Sequence, residues 1–285
     1  MSDIELISPG FYTSIQDAGR FGTAKYGVPQ AGVMDTFSAA KANLLLNNAA
    51  NDALLEITFS GPKIRFNRAM SICISGAHFE VTCNGLSLKN DKAYSINAGD
   101  QVDFGALSSG FRAYLAFSGG IDAPVILGSR SQYEGITTHF RLKRGGNLNI
   151  IGSENVLKQS SARVQFNDKG ILDNKVEVMA GPEYHLLNAV QKQQLLKTEF
   201  TLLPNSNRMA IQLREKVENE LSGITTAATV PGTVQLTPQG GLVVLMRDCQ
   251  VTGGYPRILQ LSEMGINSIA QRAPGNSVFF KMPVK

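Results

Sequence analysis

Short apolar or alternating stretches recur along the whole chain with glycine-rich turns between them. In the first half they fall at 4–7, 54–59, 71–74, 79–83, 101–104 and 112–117. In the second half they fall at 176–179, 199–203, 209–213, 234–236, 242–246, 257–261 and 277–281. Runs this short, punctuated this way, predict a mainly β protein built as barrels or sandwiches. Helices are few. Asp35 is placed to cap a helix over 36–46, with Phe37, Ala40 and Leu44 on one face and Asn47 and Asn48 ending it. Further helices are expected over 183–196 and, shorter, over 263–271.

A length of 285 residues predicts about two domains. The polar stretch 153–174 lacks a sustained period and carries Ser160, Ser161, Asn167, Asp168 and Gly170, so it reads as the linker. The expected domains are therefore 1–165 and 166–285. A short internal echo agrees with two related units: residues 96–104, INAGDQVDF, resemble residues 272–280, RAPGNSVFF, each a turn that launches a strand.

The net charge of +4 is small and scattered, and only Arg141, Lys143 and Arg144 cluster. No basic stripe interleaved with aromatics points to nucleic acid. Cys73, Cys83 and Cys249 form no metal-type pair and cannot all pair with one another. With no signal-peptide pattern and no long apolar run, a reduced, cytoplasmic setting is expected. Cys249 stands close to the glycine pair described below, where a buried small hydrophobe is the favoured reading.

Several chemistries are poorly served by this sequence. It has no Gly-Lys pair and hence no Walker A loop, no G-x-G-x-x-G that opens a helix after a strand, no H-E-x-x-H and no G-x-S-x-G. His78, His139 and His185 are far apart in sequence. A serine-triad hydrolase, a zinc hydrolase and a Rossmann oxidoreductase are disfavoured.

Three polar, glycine-punctuated clusters remain. The first joins Gln16, Asp17, Gly19 and Arg20 to the segment 27–35 ending in Asp35. The second is Gly128, Ser129, Arg130 and Ser131, preceded by Gly119, Gly120 and Asp122. The third is Asp248, Gln250, and the run Thr252, Gly253, Gly254, Tyr255, Pro256. Arginine offers a planar fork to carboxylates and phosphates. Paired glycines allow positive φ and close backbone approach, and a turn of this kind can aim N–H groups and one phenol at an anion or carbonyl. Carboxylates can activate water. Taken singly, each feature also has a plain structural account: Asp17 and Arg20 bridging a turn, Asp35 capping its helix, 252–256 turning a hairpin.

Taken together and in order, the clusters resemble one family. The opening P-G-x-x-T-x-I-Q-D-x-G-R followed by G-V-P-x-x-G-x-M-D occupies 9–35. It is followed by L-E-I-T with G-P at 55–62, S-G-A at 75–77, R-A-Y-L at 112–115, G-G-I at 119–121, L-G-S-R-S at 127–131, G-P at 181–182, S-N-R-M at 206–209, P-G-T-V-Q at 231–235 and D-x-Q-x-T-G-G-Y-P at 248–256. This set resembles the KipA family, also called allophanate hydrolase subunit 2 or the biotin-dependent carboxyltransferase subunit family. The sequence departs from the family pattern at Asn207, at Ala210, and in lacking the tryptophan common near Asn90.

The resemblance implies two cyclophilin-like β-barrel domains and a KipI-like partner subunit. It also implies likeness to the carboxyltransferase portion of urea carboxylase and to the ATP-dependent 5-oxoprolinase that, with a lactam-utilisation subunit, opens 5-oxoproline to glutamate. Three functions follow: a subunit of such a 5-oxoprolinase complex, inactive alone; carboxyl transfer from carboxybiotin to a urea- or amide-like acceptor; or a regulatory module docking on a KipI-like inhibitor of a histidine kinase. ATP is the expected cofactor, held in the complex, with biotin only for the second. The chain has no Met-Lys-Met for biotin attachment. From residue chemistry alone, Asp17, Asp248 and Tyr255 are the catalytic candidates. Arg20, Asp35, Gly128, Ser129, Arg130, Ser131, Thr252, Gly253 and Gly254 are the substrate-binding candidates, with Gly253 and Gly254 offering N–H groups to an oxyanion. Arg130 is expected to be buried, with substrate, Asp17 or Asp248 as its anion.

Overall fold

The computed structural model describes residues 2–152 and 173–283; residues 153–172 of the expected linker, and the cut expected at 165/166, lie outside the described residues. The protein is mainly β, with sheets curled into near-barrel shapes. It has two compact units. One comprises Met1–Arg20 with Ala31–Asn167, the other Phe21–Gln30 with Asp168–Lys285. The segment 21–30 therefore groups with the second unit, which a single cut in the sequence does not anticipate.

The first unit holds β1 (Ile4–Ser8), β2 (Tyr12–Gln16), β3 (Leu54–Thr58), β4 (Lys63–Phe66), β5 (Met70–Cys83), β6 (Leu86–Leu88), β7 (Ala93–Ile96), β8 (Gln101–Phe117), β9 (Ile121–Asp122) and β10 (Asn147–Ile150), with helix α1 (Thr36–Leu44). Their sheet runs β2-β3-β8-β4-β1-β10-β9, and β5 pairs with β8, β7 and β6. The strands expected at 71–74 and 79–83 are one strand, and so are those at 101–104 and 112–117. The two pair from Ile72↔Phe117 to Cys83↔Val102, with bulges between Gly76 and Val81. Bulges let a strand bend without ending, while the glycine and polar residues there erase the alternation that marks a strand in sequence. The core packs Phe66 against Phe117 at 6.3 Å between ring centroids and Phe79 against Phe104 at 5.7 Å. Each such pair adds about 0.5–1.5 kcal/mol beyond its area term.

The second unit holds β11 (Lys175–Ala180), β12 (Phe200–Thr201), β13 (Ala210–Gln212), β14 (Ala227–Ala228), β15 (Thr233–Leu236), β16 (Leu242–Leu245), β17 (Thr252–Gly253), β18 (Arg257–Leu261) and β19 (Ser277–Lys281), with α2 (Ala189–Lys197) and α3 (Glu263–Ala270). Its main sheet runs β12-β19-β11-β18-β15-β16-β13, and β14 and β17 form a separate two-stranded ribbon. The single helix expected over 183–196 is broken. A 3₁₀ turn at Tyr184–Leu186 gives way to extended Leu187, after which Asn188 and Gln191 form a capping box that starts α2 afresh.

The echo between 96–104 and 272–280 is visible as matching turn chemistry. Asn97 N donates to Asp100 Oδ2 at 2.7 Å ahead of β8, and Ala273 N donates to Asn276 Oδ1 at 3.0 Å ahead of β19. In each, the side chain of Asp or Asn closes the turn on a backbone N–H three residues earlier.

Candidate functional site

In the first unit, β2 delivers Gln16 and Asp17 to the turn at 126–131. The Asp17 carboxylate accepts four hydrogen bonds there. Gly19 N (2.8 Å), Ser129 Oγ (2.5 Å) and Ser131 Oγ (2.6 Å) donate to Oδ1, and Arg130 N (2.6 Å) donates to Oδ2. Ser131 Oγ also receives the amide of Asp17 at 3.0 Å. Arg20, only 2% exposed, reaches across the same turn and donates from Nε to Ile126 O at 3.2 Å and from its guanidinium to Ser131 O. Leu127 and Gly128, at φ 53° and 80°, make the turn that presents these groups.

Of the sequence candidates, Asp17, Arg20, Ser129, Arg130 and Ser131 are thus brought together, although more than a hundred residues separate the two segments. Their roles differ from the expectation. Asp17 has its carboxylate committed to loop donors and acts here as the organiser of the turn. The Arg130 side chain is neither buried nor set on Asp17, and its partners are local rather than the Asp17 or Asp248 expected from sequence. It is 25% exposed, donates to Ala123 O at 2.7 Å and stands 3.9 Å from Asp122. The reason is that Asp17 is filled by the Arg130 backbone N–H, so the side chain leaves on the other side.

A second network fixes the segment that ends in Asp35. Gly32 sits so close to the 18–19 backbone that a Cβ would lie 2.9 Å from Ala18 C and Gly19 N, and Val33 N donates to Asp17 O at 2.9 Å. Glu56, fully buried in β3, receives Met34 N at 2.7 Å and Tyr114 Oη at 3.1 Å, while Asp35 N donates to Tyr114 Oη at 2.8 Å. Burial, then the nearby Glu56 and Asp35 charges, hold the Tyr114 phenol well above its usual range, so it stays a donor. Asp35 itself caps α1, accepting from Ser38 N at 3.0 Å and Ser38 Oγ at 2.6 Å. Its carboxylate serves the helix in this structure. Sequence reading missed Glu56 and Tyr114, although an acid inside the apolar run 54–58 was the available signal.

In the second unit, Asp248 meets Arg208 in a two-bond fork, Nε to Oδ2 at 2.8 Å and a terminal nitrogen to Oδ1 at 2.9 Å. Asp248 N also donates to Arg208 O at 3.0 Å. Cys249 is buried, and burial followed by the Asp248 charge pushes its thiol up to about 12, far from a thiolate at neutral pH. Tyr255 is 44% exposed.

The stretch 252–256 is not the positive-φ turn its glycines suggested. Thr252 and Gly253 pair as β17 with Ala228 and Ala227 of β14, and neither Gly253 nor Gly254 has positive φ. What requires a glycine at 253 is space. A Cβ there would lie 2.6 Å from Nε2 of Gln235 and 3.2 Å from Thr229 Cγ2. Below this ribbon, Thr229 Oγ1 donates to Gln250 O, and Arg257 forks onto Glu183 with bonds of 2.9 and 2.8 Å. That pairing lowers the Glu183 carboxyl below its ordinary value. Among the described residues, no three of His, Cys, Asp or Glu converge as a metal site, and no helix is long and apolar enough to cross a membrane.

Residues 26–282 match the family described as the carboxyltransferase domain, subdomains A and B. The chain is similar to the C subunit of the 5-oxoprolinase of Escherichia coli K12, at 30% identity over 97% of this chain and 90% of that protein. In fold it is similar to the crystal structure of TTHA0988, with a TM-score of 0.88 and 24% identity over 99% of this chain; it spans 56% of that chain. The urea amidolyase of Kluyveromyces lactis matches with a TM-score of 0.85 at 28% identity over 97% of this chain, which spans 18% of that protein.

Proposed function

Because this chain belongs to the carboxyltransferase domain family of subdomains A and B, we propose that it is one subunit of an ATP-dependent 5-oxoprolinase-type complex that opens 5-oxoproline to glutamate. Its partners in this reading are a KipI-like subunit and a lactam-utilisation subunit. The observation that supports it is similarity to the C subunit of a 5-oxoprolinase along nearly the full length of both proteins.

An unstrained amide is a poor electrophile, and ATP supplies the activation. The arginines of the two clusters do not fit a triphosphate. Arg20 is spent on Ile126 O and Ser131 O, Arg208 on Asp248, and Arg130 donates to Ala123 O. ATP is therefore assigned to a partner subunit, and no step of this chain passes through it. Here Asp17 and Asp248 are positioning residues. The exposed Tyr255 phenol in the second unit and, separately, the partly exposed Arg130 side chain in the first are each the group of their own cluster left open to a substrate. A cytoplasmic location and cyclophilin-like barrels belong to the same reading.

Carboxyl transfer from carboxybiotin is the second reading, favoured by the family description and by the likeness to urea amidolyase. One experiment separates the two. The chain is co-expressed with its KipI-like and lactam-utilisation partners, and glutamate release from 5-oxoproline is followed with and without ATP. The first reading expects ATP-dependent release by the complex and none by this chain alone. Release that persists when this chain is omitted sinks it, as does transfer of label from carboxybiotin to urea with 5-oxoproline untouched.

A further inference from the structure

Strand β15 is buried along its whole length, and its apolar residues Val234 and Leu236 alternate with polar Thr233 and Gln235. The polar residues around it are matched one to another. Thr233 Oγ1 donates to Gln260 Oε1 at 2.9 Å, and Gln260 Nε2 donates to Pro231 O at 2.8 Å. Arg257, cross-strand from Gln235, forks onto Glu183 and donates to Ala228 O at 2.9 Å. Thr229 donates to Gln250 O. Gln235 breaks this pattern. It is 2% exposed, yet its Nε2 has no acceptor among the described residues.

A buried amide nitrogen without an acceptor is costly, and native proteins seldom keep one without a use. Gln235 Nε2 lies directly under Gly253, where any side chain would collide with it. The cover above is slight. The β14–β17 ribbon consists of two residue pairs, Ala227↔Gly253 and Ala228↔Thr252, extended by Thr229 N to Val251 O at 3.0 Å and Ile224 N to Gly254 O at 2.9 Å, and is a sheet separate from the main one. A two-stranded ribbon has little stability of its own. Tyr255 and the exposed Thr252 and Gly254 flank it.

We propose that Gln235 Nε2 is a hydrogen-bond donor held for the carbonyl oxygen of an amide- or ureido-type substrate, admitted beside Gly253 when the ribbon parts. The inference rests on the preceding functional reading and deepens it by naming the donor and the atom it recognises. A carboxamide suits this role because it is neutral, its N–H₂ polarises a carbonyl without adding a charge to the core, and β15 fixes its place. Gly253 is then a specificity residue, because a methyl group there fills the space the oxygen would enter.

The test uses the full chain, Gln235→Met and Gly253→Ala, with 5-oxoproline and urea as probes. In ¹H–¹⁵N spectra the Gln235 side-chain N–H₂ pair is identified by its loss in Gln235→Met. One probe is expected to move that pair saturably. Gln235→Met should weaken binding of that probe about tenfold, the factor for one lost hydrogen bond of this kind, and should melt no lower than wild type, since it removes an unmatched polar group. Gly253→Ala should weaken the same probe. The inference is overturned if neither probe moves the Gln235 pair, in the chain or in the reconstituted complex. It is also overturned if Gln235→Met melts well below wild type while kcat/KM of the complex is unchanged. Failure of the functional reading looks different: urea moves the pair and 5-oxoproline does not. A complex that turns over 5-oxoproline equally well with Gln235→Met leaves the reading standing and removes Gln235 from it.

Discussion

The two polar clusters handle their carboxylates in opposite ways. In the first unit Asp17 takes donors from loop backbone and serine hydroxyls, so one acid stitches two distant segments together. In the second unit Asp248 takes a guanidinium, and the pair is a closed neutral fork. The first arrangement spends an acid on shape. The second cancels its charge against a guanidinium, while elsewhere in the same unit a buried carboxamide, Gln235, keeps its Nε2 without an acceptor among the described residues. Reactive-looking residue types in a motif can therefore be scaffolding, and the informative atom can be one that carries no charge.

The contrast is broken most forcefully at the fork. Arg208→Met or Asp248→Leu alone leaves a buried charge unmatched and should cost about 3–5 kcal/mol in urea unfolding, whereas the double replacement should cost much less than the sum. If the two single losses simply add, the pair is not the closed unit described. Asp17→Ala comes next. It strands the hydroxyls of buried Ser129 and Ser131 and the backbone N–H groups of buried Gly19 and half-buried Arg130, for about 2–4 kcal/mol. The loss should appear as faster proteolysis or hydrogen exchange at 126–131 before it appears elsewhere. Uniform loosening of the whole first unit would deny Asp17 its local role.

Much of this architecture could be read in the sequence, and the exceptions share a cause. Strands such as β18 and β19 were legible to the residue because their apolar runs have sharp turn residues on both sides. The long β5 and β8 looked like four strands because their middles carry glycine and polar residues at bulges, where pairing with a partner far along the chain outweighs local pattern. The site divides the same way. That Asp17 and the 128–131 turn stand out from the rest of the chain is visible as motif. That Asp17 fills itself with serine hydroxyls and the Arg130 amide is not, since it depends on segments more than a hundred residues apart. The glycine pair 253–254 suggests positive φ, which neither residue adopts. Its use is space above Gln235, which only the fold brings there.

A smaller effect sharpens the second unit through pH. Glu183 titrates below its ordinary 4.5 because Arg257 hydrogen-bonds its charged form. A carboxyl lowered in the folded state contributes stability that is fully present above its unfolded pKa and is lost as pH falls through the folded value. Acid unfolding below about pH 4.5 should therefore show a component that Glu183→Gln removes, with no difference between the two proteins at neutral pH in the pH slope of stability. An unchanged acid limb in Glu183→Gln would mean that the fork onto Arg257 does not hold in solution.

The smallest expected change in stability is at Arg130, and it separates backbone from side chain within one residue. The Arg130 N–H belongs to the Asp17 cluster at 2.6 Å. Its side chain belongs to a different environment, donating to Ala123 O and standing 3.9 Å from Asp122, whose side chain is 60% exposed. A pair that long and that solvated is worth about 0–1 kcal/mol. Arg130→Lys keeps the N–H and the charge and loses only the planar fork, so the melting temperature should move by no more than about 4 °C. If the side chain grips substrate, the same change should lower kcat/KM of the assembled complex at least about tenfold, the equivalent of 1.4 kcal/mol. A sharp fall in melting temperature with unchanged turnover per folded molecule would put Arg130 with Asp17, as a residue spent on shape. A stable, fully active Arg130→Lys would leave the first unit's cluster entirely structural, and would move the search for substrate contacts to the ribbon above Gln235.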